Sequence, residues 1–212
     1  MDELFGEPQR AAEIAHIPGV VVGIVTNNKD PDGMGRIKVN MPHLGDADES
    51  DWARVAAPMA GKERGVYFLP EVGDEVLVAF EHANPRSPLV LGCLWNGVDK
   101  PPARNEDGNN DIRVIKSRSG HVIRLADKED GAKIEIIDGS GKNSLVFDTA
   151  ANLVKLESGQ DITLSATNGT IKLDARTIEI TASGAATVEA TSSLGIKASG
   201  AMTLKGATID LN

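Results

Sequence analysis

Residues 161–212 read DITLSATNGTIKLDARTIEITASGAATVEATSSLGIKASGAMTLKGATIDLN, without a proline or an aromatic residue. Apolar residues recur in pairs two positions apart, and the first members of successive pairs are about eight residues apart. Two residues spaced by two lie on the same face of a β-strand. An eight-residue step therefore predicts a short strand and a corner, repeated along the chain.

One such chain cannot fill a core by itself. Residues 159–212 contain nine alanines, and each repeat offers two sizeable apolar side chains. A single-chain parallel β-helix is the alternative, but its coils need about 20 or more residues. Three interwound chains would supply the missing volume, so the repeat predicts an intertwined trimer. The side chains expected on the trimer axis are Ile162, Leu164, Ile171, Leu173, Ile178, Ile180, Val188, Leu194, Ile196, Met202, Leu204, Ile209 and Leu211.

The paired pattern continues upstream at wider spacing, and it ends where the composition changes. Ile123/Leu125, Ile134/Ile136 and Leu145/Phe147 are further pairs. All ten prolines lie at or before Pro102, and Pro101-Pro102 followed by a polar run is typical of a linker. We therefore divide the chain into an N-terminal segment (1–18, with a possible short helix from Asp2 to Ala15), a barrel (19–98), a linker (99–111) and a spike (112–212).

The barrel region consists of short strand patterns separated by turn signals. Stretches rich in β-branched residues or alternating with period two predict strands. Five short strands in about 80 residues, with no convincing helix, favour an OB-type Greek-key barrel. The predicted strands are Val20–Val25, Arg36–Met41, Trp52–Ala57, Glu75–Phe80 and Leu89–Gly92.

Charge and hydropathy exclude several classes of protein. The 31 acidic and 22 basic residues give a net charge of −9, which argues against a nucleic-acid partner. The longest apolar stretch, Val20–Val25, is far too short to span a bilayer. Met1-Asp2-Glu3 lacks the basic start of a signal peptide, so we expect assembly in the cytoplasm of the producing cell.

No catalytic, metal-binding or cofactor-binding residue is predicted. Asp30-Pro31-Asp32-Gly33 indicates a turn, because Met41 occupies the position at which a calcium loop starting at Asp30 needs glutamate. The lone Cys93 follows a predicted strand in an apolar context, which favours a buried structural thiol. The four histidines are too far apart in sequence to suggest a site: His16, His43, His82 and His121.

Longer motifs resemble one family. The sequences of residues 27–39, 52–55, 68–82 and 88–97 are similar to the barrel motifs of the phage baseplate assembly protein V family, which is related to the VgrG spike proteins. Ser119–Leu125 resembles the start of that family's β-helix, and the likeness runs over roughly residues 19–212. The resemblance implies an all-β chain: an N-terminal OB-fold barrel followed by a C-terminal intertwined, triple-stranded trimeric β-helix.

The resemblance also implies a role and a set of partners. It implies the central spike of a contractile injection machine, a non-enzymatic homotrimer with a separate hub protein and inner tube above the barrel and transient contact with the target envelope. A PAAR-type tip protein is expected on the C-terminal residues Thr208, Ile209, Asp210, Leu211 and Asn212. The alternative is a trimeric tail protein that binds or cleaves surface polysaccharide, although the spike region carries just one aromatic residue, Phe147, to contact sugars.

Overall fold

The computed structural model describes residues 17–44 and 49–210. The possible helix at Asp2–Ala15 and most of the N-terminal segment lie outside these residues. The described residues form strands, turns and one 3-10 turn at Glu81–Ala83. They contain no helix long and apolar enough to cross a membrane. The chain divides into two compact units, residues 1–159 and 160–212.

The first sheet of the first unit is the OB-type barrel. Its strands are β1 (Val20–Asn27), β2 (Lys38–Asn40), β3 (Arg54–Val55), β6 (Glu75–Phe80) and β7 (Pro88–Cys93), in the order β2-β1-β6-β7-β3. Backbone hydrogen bonds in both directions between Ile37 and Ala53, 2.8 and 3.0 Å long, link the two edge strands. The predicted OB-type domain is confirmed, and β6 has the predicted bounds.

The barrel core follows from the period-two pattern of its strands. Along β6, Val76, Val78 and Phe80 point inward, and burial of each such side chain contributes about 1.5–3 kcal/mol. Gly23 lets β1 pass close to its neighbours, because a Cβ there would lie 3.2 Å from Val78 Cγ2 and 3.3 Å from Asn40 O. The other buried apolar residues are Val25, Ile37, Val39, Met41, Ala53 and Val90.

Cys93 is exposed, so the prediction of a buried thiol is wrong. The ladder between β6 and β7 pairs Val78 with Val90 but Leu77 with Gly92, which leaves Leu91 as an extra residue. Such a bulge inverts the alternation of the strand beyond it. Cys93 therefore lies opposite Val76, on the same side as Pro88 and Val90, but it is the last residue of the strand and stays exposed there.

A small hairpin not anticipated from the sequence interrupts the barrel between β3 and β6. It consists of β4 (Ala60–Gly61) and β5 (Arg64–Gly65), which pair only with each other among the described strands. Gly65 has a φ of 156°, and a Cβ there would lie 2.6 Å from the carbonyl oxygen of Met59. This position therefore requires glycine.

The second sheet of the first unit is an antiparallel meander in which each strand pairs with the next. Asp138 closes the turn between the third and fourth strands of this sheet, accepting hydrogen bonds from the Ser140 hydroxyl and from the backbone and side-chain N–H groups of Asn143. These bonds, that from Ser140 above all, lower the pKa of Asp138 to about 2. The strands are β8 (Ile112–Lys116), β9 (Val122–Ala126), β10 (Lys133–Ile137), β11 (Ser144–Asp148) and β12 (Leu153–Glu157).

The second unit, described to residue 210, has no strand pairing within one chain. Its backbone runs in short straight segments that bend near residues 168, 176, 184, 192, 200 and 207. These corners recur about every eight residues, which confirms the predicted period. Most of them carry Ser, Thr, Asn, Gly or Ala, small or polar residues that suit tight turns.

Candidate interaction surfaces

The meander sheet exposes a continuous apolar side. Ile136 lies opposite Ile123 on one neighbouring strand and Leu145 on the other, while Ile134 lies opposite Leu125 and Phe147. The predicted upstream pairs are thereby confirmed to share a face. We call this surface the apolar face; its members are Ile115, Ile123, Leu125, Ile134, Ile136, Leu145, Phe147, Val154 and Leu156.

Nothing in the described chain covers the apolar face. Leu145 is half-buried, and the exposed fractions of the other eight residues run from 41% for Phe147 to 62% for Val154. The opposite side is mixed: it carries ion pairs, with Arg124 Nε 2.6 Å from Glu135 Oε2 and Lys133 Nζ 3.0 Å from Asp148 Oδ2, together with apolar residues such as Val146. A contiguous exposed apolar surface is typical of an interaction site.

The residues expected on the trimer axis are also exposed. Every residue from 160 to 210 is exposed, so the structure does not bring these side chains together within one chain. Their exposure nevertheless alternates within each pair. The first members, such as Ile162 and Ile178, are 48–55% exposed, and the second members, such as Leu164 and Ile180, are 60–81% exposed. In these pairs, therefore, the first member is less exposed than the second.

The predicted tip-docking residues lie at the end of the described chain. Thr208, Ile209 and Asp210 are exposed, with Ile209 at 48%. Leu211 and Asn212 lie outside the described residues. Docking at this end stays a prediction.

The turn between β1 and β2 is held by one buried carboxylate. The Asp30 side chain is 3% exposed and accepts hydrogen bonds from Arg36 Nε and Nη2 at 3.0 and 2.7 Å. It also accepts bonds from the backbone N–H groups of Asp32, Met34 and Arg36. The predicted turn is confirmed, and Asp30 serves it as a structural anchor.

The Arg36 guanidinium, the largest influence, holds the pKa of Asp30 well below its usual range. A lowered folded-state pKa stabilises the fold above the unfolded pKa of about 3.9, and this stabilisation is lost as the pH falls through the folded value. Asp30→Asn is therefore expected to lower the urea concentration at the unfolding midpoint at pH 7. The difference in this midpoint between wild type and variant is expected to narrow below about pH 4.

Urea unfolding at several pH values, followed by tryptophan fluorescence, measures this difference. The Trp52 ring lies 5.7 Å from the Arg36 guanidinium, so its emission is placed to report on the turn. Asp32→Asn is the matched control, since Asp32 is 63% exposed and contacts Arg36 through one oxygen at 2.5 Å. A difference for Asp30→Asn that is the same at every pH would contradict the role given to its charge.

Two kinds of reactive site are disfavoured in the described residues, a nucleophilic thiol and a metal site. Partial burial, and secondarily the charge of Asp74, raise the pKa of the Cys93 thiol, which disfavours the nucleophilic thiolate. Within residues 17–44 and 49–210, no group of three His, Cys, Asp or Glu side chains is placed to hold a metal ion.

A groove that was not predicted from the sequence lies on the barrel between the β1–β2 turn and the β4–β5 hairpin. Four large side chains lining it are more than half exposed: Met34, Met59, Tyr67 and Phe68. The sequence signal was weak because these residues lie in connections without periodicity, where an apolar residue does not reveal the side it faces.

Comparison with known proteins identifies the barrel. Residues 21–95 match the family described as the type VI secretion system/phage-baseplate injector OB domain. The spike protein VgrG5 of Pseudomonas aeruginosa is 41% identical over 87 residues, which cover 39% of this chain and 11% of that protein. The spike protein VgrG1a of the same species is 29% identical over 159 residues, covering 68% and 24%. The actin cross-linking toxin VgrG1 of Vibrio cholerae is 32% identical over 75 residues, covering 34% and 7%.

Fold and comparison together define a chain with an injector-type OB domain. The chain carries the OB domain of this family and is similar to VgrG spike proteins, so the resemblance found in the sequence is confirmed. The matches span at most 24% of the length of these relatives.

Proposed function

We propose that this protein is the central spike of a contractile injection machine, such as a phage tail, an R-type bacteriocin, an extracellular injection system or a type VI apparatus. Three copies pack the apolar faces of their meander sheets together and wind residues 160–212 into a triple-stranded β-helix that pierces the target envelope. The OB barrels rest on a separate hub protein at the end of the inner tube. The role is structural, without a cofactor or a catalytic step.

The observation that carries this proposal is the exposure of an entire periodic apolar repeat. A folded segment buries its apolar side chains, yet residues 160–210 bury none within one chain while keeping regular corners. Identical chains can supply the missing packing partners, because each apolar pair would then contact the same pair of the other two chains at every repeat. Strands that pair between chains also leave no long open edge.

The apolar face supports the same arrangement. It contains nine apolar residues on five adjacent strands, and it immediately precedes the repeat in sequence. Full burial of an Ile or Leu side chain contributes about 1.5–3 kcal/mol, so the half-exposed members would still gain on association. Three copies of this face packed together would begin the core that the repeat continues.

Charge favours a protein assembly over nucleic acid. The barrel's Arg36, Lys38 and Arg54 are each paired with a carboxylate. The whole chain carries a net charge of −9, which disfavours binding to the phosphates of a nucleic acid. We place assembly in the cytoplasm of the producing cell, and a PAAR-type protein on Thr208–Asn212.

Ile136→Asp tests whether the apolar face lies inside the assembly. Ile136 is 47% exposed in the single chain, so a carboxylate there costs an isolated protomer little. Inside a dry three-chain interface it would cost several kcal/mol per copy. Light scattering is expected to show loss of the trimer.

Glu135→Gln is the matched control on the opposite side of the same strand. It removes an ion pair with Arg124, a change of about 1 kcal/mol or less, and is expected to leave the trimer intact. Full assembly of Ile136→Asp would contradict the proposed packing.

A further inference from the structure

The groove between the β1–β2 turn and the β4–β5 hairpin is a preformed site. We call it the barrel groove; it has a volume of about 930 Å³ and is lined by residues from 28 to 35 and from 55 to 69. Its side chains Met34, Met59, Tyr67 and Phe68 are 63%, 52%, 75% and 68% exposed. This is a concentration of large exposed side chains in a chain with 3% aromatic residues.

Both walls of the barrel groove are fixed before anything binds. The Asp30–Arg36 contacts hold the β1–β2 turn, and the hairpin pairs Ala60 with Gly65 and Gly61 with Arg64. A Cβ built on Gly35 would lie 3.5 Å from Cε2 of Tyr67, so the tyrosine packs close to the turn. A preformed groove avoids part of the entropy cost of binding.

Three cations at the barrel groove form no ion pair with a described residue. Lys29 and Arg64 line the groove, and Lys62 lies on the adjoining hairpin. Two carboxylates also line the groove: Asp30 is engaged by Arg36, and Glu63 forms no ion pair among the described residues. Three unpaired cations against one unpaired carboxylate leave positive charge in excess here, in a protein of net charge −9.

The hairpin beside the barrel groove also offers free backbone edges. Strands β4 and β5 pair only with each other in the described chain, and all four of their residues are exposed. Exposed strand edges accept an extended segment through main-chain hydrogen bonds, while adjacent pockets select its side chains.

We infer that the barrel groove is a docking site for an extended acidic segment of a partner protein, anchored by an aromatic or large aliphatic side chain. The apolar lining accepts the anchor, the cations pair with flanking carboxylates, and Arg64 can bind a carboxylate bidentately. Three cations are few for a nucleic acid, which depends on many phosphate contacts. The inference rests on the proposed function in that the partner is another protein of the same assembly.

A displayed library of random 12-residue peptides, selected on the immobilised full-length protein, tests this inference. The enriched peptides are expected to carry an aromatic or large aliphatic residue flanked by Asp or Glu. A synthetic peptide of the enriched sequence is expected to bind Arg64→Glu about tenfold or more weakly than wild type, since loss of a close charge pair exceeds 1.4 kcal/mol.

Arg86→Glu is the matched control, because Arg86 is a barrel cation outside the groove that also makes no ion pair among the described residues. It is expected to bind the peptide like wild type. Tyr67→Ser is expected to weaken binding without reversing a charge. Circular dichroism and chain mass must match wild type in all three variants, and a variant that fails this check is replaced by its Gln or Phe counterpart.

Several results would overturn the inference. They are no enrichment, enrichment of basic or uncharged peptides, equal binding to Arg64→Glu, or selective binding of a single-stranded oligonucleotide to the same groove. A monomeric wild-type protein that still selects acidic peptides would contradict the proposed spike and uphold the groove. A trimeric protein that selects no acidic peptide would uphold the proposed spike and contradict the groove.

Discussion

Ile178→Asp is expected to abolish assembly of the spike. Ile178 is the first member of an apolar pair and is 51% exposed in the single chain, where no strand pairing within residues 160–210 depends on it. In the proposed trimer, three carboxylates would converge on a dry axis. Unpaired buried charges of one sign cost several kcal/mol each, which exceeds what the neighbouring pairs can offset.

Glu179→Lys is the control at the next position along the chain. It lies between the two pair members and should point to solvent, where substitutions usually change stability by about 0.5 kcal/mol or less. Gel electrophoresis without boiling is expected to show a detergent-resistant band of three chains for wild type and Glu179→Lys, because separating interwound chains is slow. Equal damage from both substitutions would mean that the inward register is wrong.

Deletion of Thr208–Asn212 is expected to leave the trimer intact and to abolish binding of a tip protein. Thr208, Ile209 and Asp210 are exposed, and the apolar pairing of the repeat continues to Ile209/Leu211 in sequence. Three copies would present apolar side chains and unpaired backbone groups on one small surface. Exposed apolar side chains and open strand edges favour pairing with another protein.

A pull-down with a purified PAAR-type protein from the same genome measures this binding. Lys205→Ser is the matched control, since it alters an exposed residue just before the deleted segment and should retain binding. Undiminished capture by the truncated trimer would refute the docking surface. A truncated chain that no longer assembles would show instead that the last repeat belongs to the trimer core.

The barrel could be predicted from the sequence because its strands and turns are specified by residues close together in the chain. Alternation along Glu75–Phe80 gave the bounds of β6 and its buried side, and the Asp30 turn was evident from its residues. Predictions failed where the sequence carries no periodic signal. Cys93 lies opposite the buried Val76, but its strand ends there and leaves the thiol exposed, and the short β4–β5 hairpin has no alternation to reveal it.

The interaction surfaces were predictable to different degrees. The apolar face followed from pairs such as Ile134/Ile136, because spacing by two fixes a shared side once a strand forms. The barrel groove was missed, since Met34 and Tyr67 meet only through the folding of two distant connections. The packing of residues 160–210 depends on other chains, so the single chain shows their corners and exposure while the axis stays a prediction.

The mass of the full-length chain in solution tests the central claim most directly. Sedimentation equilibrium at micromolar concentration is expected to give a single species with three times the chain mass of 22.3 kDa. It should persist on dilution, because interwound chains separate slowly. A folded species of one chain mass would contradict the trimeric spike.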